Sequence, residues 1–119
     1  MCGLALVGML AVGPSGAGAD EGQAAFNNYC RTCHSLREGD NRFGPSLHRI
    51  IGTKAGTAPG YSAYSQGLRN SGITWDEATL DAFIADPEAV IPNNNMKPFK
   101  GISDRVVRTK IVGFLRGHE

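Results

Sequence analysis

An all-α domain wrapped around something larger than a side chain is what this chain of 119 residues predicts. Three stretches place apolar residues at helical spacing, runs alternating apolar and polar residues are nearly absent, and the connections are rich in Gly, Pro and Asn. The expected architecture is therefore three main helices plus short helices and loops. With 41% hydrophobic residues, sixteen Gly, six Pro and a net charge of +1, the chain reads as one small domain with no basic excess that would suit nucleic acid.

Residues 1–19 carry no charge and hold the apolar run Leu4 to Val12, then Pro14 and Ala17-Gly18-Ala19 just before Asp20. This pattern predicts a secretory signal peptide cleaved after Ala19, leaving a domain over 20–119 and a periplasmic location. The apolar run is too short to span a bilayer. Cys2 precedes that run, which disfavours it as a lipid anchor. After cleavage only Cys30 and Cys33 remain as cysteines, so no further thiol is left for a disulfide.

The first helix is expected from Gly22, with Asp20 and Glu21 in its first turn. Phe26, Tyr29, Cys30 and Cys33 then share one face, at i, i+3, i+4 and i+7. The stretch Cys30-Arg31-Thr32-Cys33-His34 reads as a covalent haem attachment site. Two thiols at this spacing can each add to a vinyl group of one porphyrin, and the adjacent imidazole then sits on the iron. A zinc site would need two further ligands, and only the distant His48 and His118 remain. A thioredoxin-type redox pair would need a βαβ pattern that the chain lacks.

After His34 the polar run to Phe43 is a loop, and Gly44-Pro45 marks a turn whose carbonyl at 45 is free to accept a hydrogen bond. A ligating imidazole needs such an acceptor. By spacing alone an ordinary surface turn fits equally well. Gly52 to Gly60 is a second loop, and Tyr61 to Asn70 contains a short helix ending near Gly72. Thr74 and Glu77 fit a capping box that starts the next helix, which puts Leu80, Phe83 and Ile84 on one face and ends before Pro87. Residues 92–101, with two prolines and three consecutive asparagines, are irregular and hold Met96. The last helix starts near Ser103, presents Val107, Ile111, Phe114 and Leu115, and ends at Arg116 and Gly117. Met96 lies outside the expected leader, unlike Met1 and Met9, and its thioether suits a low-spin electron-transfer iron; filling the core is the alternative role.

In this order the features resemble the class I c-type cytochromes, in the mitochondrial-like branch that includes soluble bacterial carriers. The resemblance runs from Gly22 to Leu115 through Gly-x-x-x-Phe at 22–26, Cys-Arg-Thr-Cys-His at 30–34, Gly-Pro-Ser-Leu-His at 44–48, Ala-Pro-Gly-Tyr-Ser at 58–62, Gly-Ile-Thr-Trp at 72–75, Ile-Pro at 91–92 and Met-x-x-Phe-x-Gly at 96–101. It implies the cytochrome c fold around one haem c, held by thioethers from Cys30 and Cys33, with His34 and Met96 as axial ligands. It implies further that the Pro45 carbonyl orients His34, that Trp75 and one of Tyr61 or Tyr64 hydrogen-bond a haem propionate, and that Gly22 and Phe26 let the first helix cross the last. His48 falls on the His34 side and is expected to be a surface or structural residue.

The chain also departs from that pattern. Phe83 stands where mitochondrial members carry a Tyr near the ligand sulfur, and Thr53 where many carry an Arg near the propionates. Tyr29, Glu88 and Asn95 replace lysines of the ring around the haem edge, so steering toward an acidic partner should be weaker. The resemblance implies a monomeric electron-transfer protein, not an enzyme. Its donor would be a membrane quinol-oxidising complex or a dehydrogenase, and its acceptor an oxidase, a reductase or a photosynthetic reaction centre. Two alternatives are a dedicated cytochrome subunit of a dehydrogenase, and an open-site haem enzyme or gas sensor, in which a floppy loop at Asn93, Asn94 and Asn95 leaves the iron free.

Overall fold

The computed structural model describes residues 15–118. Five helices carry the fold: α1 (Ser15–Tyr29), α2 (Gln66–Arg69), α3 (Glu77–Ala85), α4 (Pro87–Val90) and α5 (Arg105–Arg116). Among the described residues there is no strand, only an isolated antiparallel bridge between Lys54 and Thr74, and no helix is long and apolar enough to cross a membrane. Of the leader expected over 1–19, residues 1–14, Cys2 among them, lie outside the described residues. Residues 15–19 open α1, so Asp20 and Glu21 sit inside that helix and not in its first turn as expected.

α1 and α5 cross where the sequence places its smallest residue. A β-carbon on Gly22 would lie 2.9 Å from both the Lys110 carbonyl oxygen and the Phe114 β-carbon, so only glycine admits this approach. One turn on, the rings of Phe26 and Phe114 pack with centroids 5.5 Å apart. Ile111, fully buried, lies in the same layer with Val112 and Leu115. The ion pair of Lys110 with Glu21, at 2.8 Å, ties the two helices at the rim.

The cap of α3 lies two residues beyond the expected Thr74. Asp76 is the N-cap: its carboxylate accepts from the Thr79 amide, and the Thr79 hydroxyl accepts from the Asp76 amide, both at 2.8 Å. Thr74 lies before the helix, in the antiparallel bridge with Lys54, and the Trp75 amide donates to the Thr53 carbonyl at 2.8 Å. Leu80, Phe83 and Ile84 face the core as expected. Arg108 joins α3 to α5 by donating to Asp81 and to the carbonyls of Ile102 and Ser103.

α3 stops before Pro87 as expected, and the proline starts a new helix, α4. Asp86 is extended, caps α4 by accepting from the Ala89 amide, and leaves Pro87 at the first helical position, where no amide is needed. The segment after α4 returns to the end of α3. Ile102 donates to the Ile84 carbonyl at 2.9 Å, and Gly101, at φ 114°, lies so close to Ala85 that a β-carbon there would overlap its carbonyl.

Candidate functional site

The end of α1 delivers the two thiols and the imidazole in one tight turn. The amides of Cys33 and His34 both donate to the Cys30 carbonyl, at 3.1 and 3.0 Å. Cys30 is buried and Cys33 partly so, and they form no disulfide with each other. Burial pushes the Cys30 thiol up to about 12, with Cys33 adding to the shift, so the site disfavours a charged sulfur. A neutral thioether suits that position better than a thiolate.

His34 is buried, and its Nδ1–H donates to the Pro45 carbonyl at 2.8 Å. This bond fixes the tautomer: the proton is on Nδ1, and the Nε2 lone pair is left for a metal. Burial holds the imidazole below its ordinary pKa, with the Pro45 bond opposing, which favours the neutral form that coordinates. Nε2 takes no hydrogen bond, and among the described residues no fully buried side-chain nitrogen or oxygen lacks a partner; Nε2 therefore lies on accessible surface. Gly44 makes the approach possible, since a β-carbon there would lie 2.3 to 2.9 Å from the ring atoms of His34. The adjoining turn is held by Gly44 donating to Cys33 and by Leu47 donating to Ser35, both at 2.8 Å.

The Met96 segment is held from several directions. Asn94 is only 4% exposed, accepts from the Met96 amide at 2.8 Å and donates to Glu88 and to the Ile91 carbonyl. Asn95 donates to the Ala63 carbonyl at 3.0 Å, and the Asn93 amide donates to Glu88 at 2.7 Å. The asparagines expected to make this loop floppy are thus its fasteners. Met96 itself is half-buried against the core.

The remaining expected site residues divide by what their hydrogens do. Tyr61 donates its hydroxyl proton to the Phe43 carbonyl at 2.8 Å, whereas the Tyr64 hydroxyl accepts from the Ala58 amide at 3.0 Å and keeps its own proton. Trp75 is buried against Phe83, ring centroids 5.2 Å apart, and its indole N–H has no partner among the described residues. The Thr53 hydroxyl donates to the Ile50 carbonyl at 2.7 Å. Asn94 and Glu88 carry roles here that spacing alone did not suggest.

Two cysteines and a buried imidazole in one turn, with a methionine held on a separate loop, are residue types that could hold a covalently attached haem. No protein-family model matches the chain. It is 49% identical over 87 residues to cytochrome c-550 of Bradyrhizobium diazoefficiens, covering 72% of this chain and 62% of that protein, less than two thirds of its length. It is 41% identical over 87 residues to cytochrome c2 iso-2 of Magnetospirillum fulvum, covering 73% of this chain and 88% of the relative. Among solved structures, cytochrome cH from Methylobacterium extorquens superposes with a TM-score of 0.74 at 38% identity, over 83% of this chain and 97% of that one. The chain belongs to the class I c-type cytochromes: it has their all-α fold, carries haem c covalently and is an electron-transfer protein, not an enzyme.

Proposed function

We propose that this protein is a monomeric, periplasmic one-electron carrier in which Cys30 and Cys33 form the thioethers to haem c and His34 and Met96 hold the iron from opposite sides. When bound, haem c supplies the Fe(III)/Fe(II) couple, and imidazole with thioether favours a raised potential. The observation that carries the reading is the 2.8 Å bond from His34 Nδ1 to Pro45, which leaves Nε2 unprotonated one residue from a thiol. The Pro45 bond orients His34, and Asn94 does the same for the backbone of Met96.

Tyr64 and Trp75 are the donors we assign to a haem propionate, because the Tyr61 proton is already used on Phe43. Thr53 supplies no cation at its position, so the propionate relies on these two neutral donors unless Lys54 or water adds a partner. The leader over 1–19 is read as an export signal; cleavage after Ala19 would leave Asp20 and Glu21 at the start of α1, where their charge suits the helix dipole. The donor is a quinol-oxidising membrane complex or a dehydrogenase, and the acceptor an oxidase, a reductase or a reaction centre, met through transient contacts.

Membranes supplied with a quinol and depleted of their own soluble cytochromes test this. Addition of the ferric protein is expected to restore electron flow to the terminal acceptor, with reversible reduction of the haem. Failure to restore flow, together with turnover of peroxide or nitrite by the purified protein, would overturn the carrier reading.

A further inference from the structure

We infer that Glu88 is a positioning residue that clamps the Met96 loop shut and so sets how readily an outside ligand reaches the iron. The inference rests on the proposal that Met96 is an axial ligand. Glu88 sits in α4, just after the fully buried Pro87, so its backbone is anchored to the core. One carboxylate oxygen accepts from the Asn93 amide at 2.7 Å, and the other accepts from the Asn94 side chain at 3.2 Å. Asn94 in turn accepts from the Met96 amide at 2.8 Å. A continuous polar path thus runs from Glu88 through buried Asn94 to the backbone of the ligand residue.

The backbone is shaped for this contact. Asn93 has φ 61°, in the left-handed region that asparagine tolerates better than most side chains, and its amide is the one that meets Glu88. The Lys97 ammonium, 3.6 Å from the same carboxylate, is a lesser part of the clamp because both side chains are more than half exposed. Its contribution should also fade with salt. Without Glu88, Asn94 keeps its bond to the Ile91 carbonyl at 3.0 Å, so the loop loosens but no buried group is orphaned.

An outside ligand binds only the open form of the loop, so its apparent affinity scales with the open fraction. Removing two hydrogen bonds to a half-exposed carboxylate is expected to raise that fraction about tenfold. The ferric holoprotein, with Glu88→Ala, Glu88→Gln and Glu77→Gln variants, can be titrated with imidazole at fixed pH and ionic strength while the weak red thioether-to-iron band is followed. Glu77→Gln breaks the 2.8 Å ion pair with Arg116 and leaves the loop untouched, which separates global destabilisation from the clamp.

All four proteins are expected to show the band without imidazole. Glu88→Ala should bind imidazole about tenfold more tightly than wild type, with Glu88→Gln between them and Glu77→Gln unchanged. Glu88→Gln keeps one acceptor for the Asn93 amide and serves if the alanine variant does not fold. A band present throughout with wild-type imidazole affinity in both Glu88 variants overturns the clamp alone. A wild-type protein without the band overturns the Met96 ligation on which the clamp rests.

Discussion

Nδ1 of His34 and the carbonyl oxygen of Pro45, eleven residues further along the chain, are joined by a 2.8 Å hydrogen bond. Gly44 stands immediately before that proline, and its missing side chain is what lets the turn close over the imidazole. Gly44→Ala should push the ring off the carbonyl. The expected result is a loss of about 1–3 kcal/mol in stability, the usual range for overpacking, and a shifted reduction potential, read by urea unfolding and a redox titration. Unchanged values in both would mean that the turn yields without moving His34.

The fully buried Ile111 is the centre of the α1–α5 layer. Ile111→Ala is expected to cost about 2–5 kcal/mol by the loss of transfer energy and the cavity left behind. Gly22→Val should also destabilise, by forcing α1 away from Lys110 and Phe114, and should part the Phe26 and Phe114 rings. Urea unfolding midpoints measured on the holoprotein check both.

The haem-bearing stretch was legible because its chemistry is contiguous: both thiols and the imidazole lie within Cys30 to His34. Leu80, Phe83 and Ile84 were legible by their period, whereas the ligand role of Met96 rests on the resemblance. Hydrogen bonds of the irregular segments were not legible. Asn93, Asn94 and Asn95 read as a floppy polar run because their partners, Glu88, Ile91 and Ala63, leave no periodic trace. The cap was read as Thr74, whereas Asp76 and Thr79 form the box and residue 74 pairs with Lys54, a bridge that leaves no local trace in the sequence. Pro87 was read as a stop, yet the same missing amide that ends α3 suits the start of α4. Nor did spacing show that the Tyr61 hydroxyl donates to Phe43 while that of Tyr64 accepts from Ala58.

Asp76 gives the fold an acid-sensitive point. Hydrogen bonds from Thr79, first its amide and then its hydroxyl, hold the carboxyl below its ordinary value of 3.8. A carboxylate with a depressed folded pKa stabilises the native state above the ordinary value, and that contribution is lost as pH falls through the folded one. Asp76→Asn keeps an acceptor for the helix start but cannot titrate. Thermal unfolding between about pH 5 and pH 2 is expected to fall less steeply in the variant than in wild type; parallel slopes would place the acid sensitivity elsewhere.

Cys30→Ala removes the more buried of the two thiols. One thioether, through Cys33, is then expected, with lower haem retention during export and assembly. Intact-protein mass and a stain for covalent haem check this, and full wild-type haem content would contradict the assignment of Cys30.

The reading of His34 and Met96 as a closed pair of ligands is tested most directly by an optical spectrum of the purified ferric protein, before and after addition of cyanide. A weak red charge-transfer band from thioether coordination, yielding only slowly to cyanide, is expected. A spectrum without that band, and immediate cyanide binding, would contradict the closed site and with it the carrier function.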